Sequence, residues 1–242
     1  GFIVLKELTE VFTKRKSLIR LGLHSKIVII TSIVVTILGT LFFFFGEFLE
    51  ALDSYSLWEK IQISFFQSVT LRTAGFNTIS LSNLHTYTIY GMTLFMFIGG
   101  SPGSTAGGIK TTTLAILFQS IRSTLKAEEK VTIFDRTINN SLVVRATALT
   151  FFSIAVTSLF ILIMIRTESE QSFLNIFFEV ISAGGTVGLS LGITPFLSSA
   201  GKFFISLMML IGRIGPLTLI LAIGQRGERG KFDYPEGRIM IG

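Results

Sequence analysis

The strongest constraint on this chain is residues 27–45, a run of 19 without a single charge. As a helix rising 1.5 Å per residue it spans about 28 Å, close to the roughly 30 Å hydrocarbon core of a bilayer. Residues 146–165 form a second uncharged run, of 20 residues, and residues 203–223 a third, of 21, interrupted only by Arg213. Charged residues make up 15% of the 242 and hydrophobic ones 49%, whereas soluble domains carry about 25% charge. So few charges cannot cover a soluble globule, which argues against a cytosolic enzyme, and the hydrophobicity argues against disorder. There is no Cys, and the two His residues, His24 and His85, lie far apart, so neither thiolate chemistry nor a His-built metal site is expected. Residues 1–26 carry six Lys/Arg and no small-residue cleavage site, unlike a signal peptide.

A fourth apolar segment begins at Tyr87 and runs to Ile98. It then meets Gly99-Gly100-Ser101-Pro102-Gly103-Ser104-Thr105-Ala106-Gly107-Gly108 before apolar sequence resumes at Leu114. This predicts a helix broken at membrane depth, where irregular backbone persists only if buried in protein or lining water. Charge orients the segments. Residues 1–26, 119–145 and 224–242 hold 15 of the 21 Lys/Arg, while the stretch after the first run carries Glu47, Glu50, Asp53 and Glu59 against Lys60. The positive-inside rule puts both termini and the middle linker in the cytoplasm. It also accounts for the net charge of +6 without nucleic acid. The outer segments are themselves apolar at residues 61–66 and 173–178, each too short to cross and suited to a half-helix that dips in and returns.

The resulting order, span, short re-entrant helix, span, then a basic linker, occurs twice. Thr73-Ala74-Gly75 follows the first short helix and Thr186-Val187-Gly188 the second, at an offset of 113, while Phe65-Phe66 and Phe177-Phe178 match at 112. Such duplication in membrane proteins marks a pseudosymmetric assembly around a site. A Thr-x-Gly turn after a re-entrant helix is how a cation filter is built: carbonyls replace the ion's water shell, and Gly permits the backbone angles required. Either glycine alone would also serve a plain tight turn; the pair, equivalently placed, reads as a filter.

The Gly-rich run 99–108 is no phosphate loop, because Ile109 separates Gly108 from Lys110 and no strand precedes it. It reads as a passive kink or a mobile element, since such a loop has low ordering stability. Arg213 stands mid-span, where a charge costs at least about 2.5–3.5 kcal/mol and must face protein or water. It either satisfies helix-end carbonyls or anchors the loop. Arg72 is expected to clamp the first short helix, with Glu179 as partner, and Lys110 to meet loop carbonyls or reach the interface. A secondary carrier with a midplane site remains an alternative, although only Arg213 is ionisable within a span. A membrane enzyme is disfavoured, with no Cys, His cluster or paired intramembrane carboxylates.

Four segments resemble the Trk/Ktr/HKT potassium transporter superfamily: Ser68 to Asn77, Gly99 to Thr111, Ser182 to Ser190 and Gly212 to Thr218. The ending Tyr234 to Gly242 resembles the Ktr-type membrane subunit. The resemblance implies an all-α polytopic membrane protein, with two M1–P-loop–M2 repeats that match the third and fourth of a four-repeat pore, the first M2 broken by an intramembrane loop. Residues 1–26 would end a preceding repeat, 27–120 and 146–225 form the two repeats, 121–145 link them in the cytoplasm, and 226–242 form a cytoplasmic tail. Gly184 stands where the family more often has Phe, which loosens the packing expected behind the second filter.

The resemblance further implies potassium uptake at the plasma membrane, with K⁺ held only at Thr73, Ala74, Gly75, Thr186, Val187 and Gly188. The 99–108 loop and Lys110 would form a plug below the filter, and Arg213 would sit beside it. Sodium selectivity or sodium coupling is the alternative within the superfamily. Expected partners are lipid, two upstream repeats of the same polypeptide, a second full-length copy and a cytosolic nucleotide-binding regulatory ring. No covalently bound cofactor is expected.

Overall fold

The computed structural model describes residues 1–13 and 21–215. It is mostly helical: α1 (Phe2–Thr13), α2 (Leu23–Glu47), α3 (Leu57–Thr70), α4 (Thr86–Phe97), α5 (Thr111–Leu125), α6 (Asn140–Thr167), α7 (Phe173–Gly185) and α8 (Ser199–Ile214). Helices α2 and α6 are long and apolar enough to cross a bilayer, and only 28% and 17% of their apolar windows are buried. A soluble core helix would be covered. Here large side chains such as Phe45 and Phe151 stand in the open, as on a surface meant for lipid or another apolar partner.

The short helices begin where their caps dictate. Ser56 and Glu59 form a capping box at α3. Ser172 accepts from the Asn175 amide at α7, and Ser198 from Gly201 at α8. Helix α3 packs on α2, α7 on both α6 and α8, and α4 on α7. The two repeats therefore share one core, in which Phe43, Met92 and Met96 meet Phe178, Ile181 and Val187. Phe160, Met164, Ile176 and Met208 form a second cluster within the second repeat.

Glu47 and Glu168 do the same work in the two repeats. Glu47 is fully buried at the end of α2, and its Oε1 accepts from the His85 amide, 3.1 Å, at the head of α4. Glu168 ends α6 and accepts from the Ser198 amide and hydroxyl at the head of α8. Each carboxyl supplies acceptors to a helix N-terminus that would otherwise leave its amides open. Gly201 makes room, for a Cβ there would lie 2.2 Å from Glu168 Oε1. Glu47 is therefore a buried cap, not the free outer-loop charge its sequence position implies.

Two further differences from the sequence reading appear. Helix α6 starts at Asn140, ahead of residue 146, because the Asn139 side chain caps it by accepting from the Ser141 amide. The linker is not wholly helix and coil. It holds an antiparallel ribbon, β1 (Thr132–Ile133) with β2 (Arg136–Thr137), whose turn residues Phe134 and Asp135 both take positive φ, 49° and 57°, as a type I′ hairpin turn needs. The third apolar run is helical through Ile214 and capped at Gly215; residues 216–223 and the tail 226–242 lie outside the described residues.

Candidate functional site

The site is built from the chain just after α3 and α7. After α3, Thr73 has φ 71° and Gly75 φ 77°; after α7, Thr186 has φ 55° and Gly188 φ 90°. Ala74 and Val187, between them, are not among the positive-φ residues. Glycine adopts this region freely. A β-branched residue there is a genuine outlier costing about 1–3 kcal/mol, and it persists only where its surroundings impose it. The same alternation, with the same strained threonine, thus occurs at equivalent places in both repeats. Thr70 clamps the first turn: its hydroxyl donates to the Phe76 carbonyl, 2.5 Å, and accepts from the Phe76 amide, 2.8 Å. The second turn is held by the Val187 amide donating to the Ser182 carbonyl, 2.9 Å.

The two turns face each other. A Cβ on Gly75 would lie 2.5 Å from the Val187 carbonyl oxygen, and one on Gly188 would lie 3.6 Å from Gly75 Cα. Gly75 is therefore required twice, by its φ and by this approach.

The broken helix supplies the third component. Helix α4 stops at Phe97 and α5 starts at Thr111. The ends of the break are pinned together by Gly99 N to Ile109 O, 2.8 Å, Ile109 N to Phe97 O, 3.0 Å, and Thr111 N to Gly100 O, 3.1 Å. Within the loop the Ser104 hydroxyl donates to the Ser101 carbonyl, 2.6 Å; Pro102 and Gly103 follow Ser101, and no atom would lie within 4 Å of a Cβ on Gly103. Gly108 takes φ 66° close to the Phe97 carbonyl. The loop reaches the second turn directly, since the Gly107 amide donates to Thr186 Oγ1 at 2.7 Å. Cations hold it from three directions. Arg213 Nη1 donates to the Thr105 carbonyl, 2.7 Å, Arg72 Nη2 to the Gly99 carbonyl, 3.1 Å, and Lys110 Nζ to the Ala106 carbonyl.

The expected Arg72–Glu179 pair does not form. Glu179 is instead taken by the chain beyond the second turn, where the Ser190 hydroxyl donates to its Oε2 at 2.8 Å and the Thr194 hydroxyl to its Oε1. Hydroxyls within reach satisfy the buried carboxyl, and Arg72 turns to the loop. Sequence reasoning assigned no role to Ser190 or Thr194; their spacing from Glu179 carries no local signal, because the turn folds them back. Behind the second turn lies an apolar cavity of about 40 Å³ lined by Gly184, Gly185, Met208 and Gly212. Met208 Cε sits 2.3 Å from where a Cβ of residue 184 would stand, so methionine occupies the space opened by Gly184. Among the described residues no cluster of three or more His, Cys, Asp or Glu exists that could hold a metal ion.

The arrangement is thus two paired backbone turns with a tethered loop against one of them, without a reactive side-chain constellation among the described residues. Residues 6–232 match the TrkH family, described as a cation transport protein. The chain belongs to this family. It is 37% identical over its whole length to the Ktr system potassium uptake protein B of Bacillus subtilis (strain 168), covering 54% of that protein. It is likewise 37% identical to the potassium/sodium uptake protein NtpJ of Enterococcus hirae, again covering all of this chain and 54% of the relative. The chain therefore spans about half the length of these relatives. The fold is like that in the crystal structure of the potassium transporter TrkH from Vibrio parahaemolyticus, with a TM-score of 0.67 at 23% identity over 80% of this chain and 43% of that one. The TrkH family transports ions across membranes and is not a family of enzymes.

Proposed function

We propose that the protein takes up potassium through a pore in which Thr73, Ala74, Gly75, Thr186, Val187 and Gly188 present backbone carbonyls to the ion. The observation that carries this reading is the pair of strained turns meeting face to face. Thr186 is the left-handed cap that ends α7, a place usually taken by Gly or Asn; a threonine there, matched by Thr73 in the first turn, suits a column of carbonyls that needs an unusual backbone. The loop 99–108 is the gate, resting on Thr186 from the cytoplasmic side, with Arg213 and Lys110 as its anchors. The names of the relatives, potassium and potassium/sodium uptake proteins, support K⁺ as cargo. Sodium is the competing ion to test.

Two turns form half of a fourfold ring, so an ion there would remain partly desolvated, at a cost of several kcal/mol. The complete pore needs two upstream repeats, and the active protein is a plasma-membrane homodimer with a cytosolic nucleotide-binding ring as regulator. The test is uptake by cells lacking their own potassium transport. The full-length protein should restore growth on low potassium, and residues 1–242 alone should not. Rescue by the fragment as single-copy particles would overturn the four-repeat pore.

A further inference from the structure

An apolar groove of about 450 Å³ runs between α2, α5 and the ribbon turn, and neither filter turn lines it. On α2 its wall is Ile30, Val34 and Leu38. These are spaced by four, so they share a helix face, and the same stripe continues one turn back to Lys26. On α5 the wall is Leu114 and Phe118, and that stripe runs on one turn to Arg122. On the ribbon it is Ile133, whose cross-strand partner is Arg136, and opposed residues share a face. Three separate elements thus each end an apolar wall in a cation. Among the described residues none of the three cations is ion-paired. Glu128, on the same linker, accepts from the Ser123 hydroxyl at 3.2 Å.

The ribbon turn adds an independent observation. Phe134 also lines the groove, half exposed, at φ 49°. Type I′ turns favour Asn and Gly, and an aromatic residue there is strained. Such outliers concentrate where a segment binds something. The dimensions fit one leaflet. From Lys26 to Leu38, α2 rises about 18 Å at 1.5 Å per residue, against about 15 Å for half of a roughly 30 Å hydrocarbon core.

We propose that the groove binds one anionic phospholipid of the cytoplasmic leaflet, its acyl chain along α2 and α5 and its phosphate against Lys26, Arg122 and Arg136. Basic pockets between membrane helices on the cytoplasmic side recognise such headgroups. The site needs only membrane residence and does not rest on the filter reading. Since α5 directly follows the loop 99–108, the lipid would brace the helix on which that loop is mounted.

The test uses the full-length protein extracted from vesicles of mixed phosphatidylglycerol and phosphatidylcholine, with retained lipid read by native mass spectrometry. Phosphatidylglycerol should be retained in preference. The variant K26Q/R122Q/R136Q should bind it about a hundredfold more weakly, roughly fivefold per cation. Ala115→Trp, which puts an indole into the groove between α2 and α5 and leaves the cations intact, should also weaken retention. Equal retention of both lipids, or an unchanged preference in the triple variant, overturns the site. So does cross-linking of Phe118→Cys, a unique thiol in this chain, to a second copy or to the upstream half, which would show protein in the groove. Potassium flux in pure phosphatidylcholine vesicles tests the transport reading separately, and its failure would leave the lipid result standing.

Discussion

The two repeats make the same turn and hold it differently. Gln67 and Glu179 stand 112 residues apart, the offset that also relates Phe65 to Phe177, so they are equivalent positions about two helical turns before the Thr-x-Gly turns. Glu179 is buried and bonded to Ser190 and Thr194 beyond its turn. Ser190 Oγ in turn accepts from the Gly192 amide, 3.0 Å. Gln67 is fully buried, and neither of its amide atoms has a partner among the described residues. The first turn relies instead on the Thr70 clamp and on Arg72, which ties it to the loop. The second turn is braced from behind, while the first is coupled through Arg72 to the loop 99–108. The broken helix belongs to the first repeat and the contact at Thr186 to the second, so the loop bridges both.

The largest expected effect is at the glycines, and the two should differ. Gly75→Ser places a side chain at φ 77° and drives its Cβ within 2.5 Å of the Val187 oxygen. Rubidium or potassium uptake by the full-length protein should lose selectivity over sodium at least tenfold. Gly188→Ser keeps the strain of φ 90° but meets only Gly75 Cα, at 3.6 Å, so its loss should be smaller. Equal, parental kinetics in both variants would remove the filter assignment.

Next is the brace. Glu179→Gln keeps the shape but removes the negative charge, so the charge-assisted hydroxyl bonds become neutral ones of about half the strength. A hydrogen bond is worth about 1 kcal/mol, or roughly fivefold, and the potassium-to-sodium uptake ratio should fall by about that factor. Thr194→Val should move the ratio in the same direction. If either variant lowers only the amount of protein in the membrane, with the ratio intact, Glu179 is a packing residue alone.

The loop comes third. Arg213→Ala frees the Thr105 carbonyl, and deleting part of 99–108 removes the contact with Thr186. Both should raise flux severalfold at unchanged membrane abundance, the deletion more. Unchanged or lower flux would make the break a passive kink.

Much of this architecture can be read in the chain because bilayers make helices out of uncharged runs. The runs at 27–45 and 146–165 fall within α2 and α6, and the glycine-rich stretch interrupts a helix between Phe97 and Thr111. The paired Thr-x-Gly turns follow from their common offset. What escaped is long-range and polar. Glu47 and Glu168 each follow an apolar run, and the shared position is the signal that would have found them, yet their targets lie 38 and 30 residues on. Glu179 was matched with the wrong partner because charge pairing is easy to guess from sequence, whereas hydroxyls folded back by a turn are not. The ribbon at 132–137 was missed because Phe-Asp is an atypical turn pair.

The smallest expected effect sharpens the comparison most. A buried amide without partners costs about 1–3 kcal/mol, whereas an apolar side chain of similar shape carries no such penalty. Gln67→Met in the full-length protein should therefore leave stability within about 1 kcal/mol of the parent or raise it, and leave the potassium-to-sodium ratio unchanged. The equivalent change at the other repeat, Glu179→Met, strips two hydroxyls of their acceptor and should lower both. Thermal unfolding in detergent with ligand-free buffer reads the first quantity, and competitive uptake the second. If Gln67→Met proves as damaging as Glu179→Met, then Gln67 is bonded in the complete protein by a group outside these residues, and the two turns are braced alike.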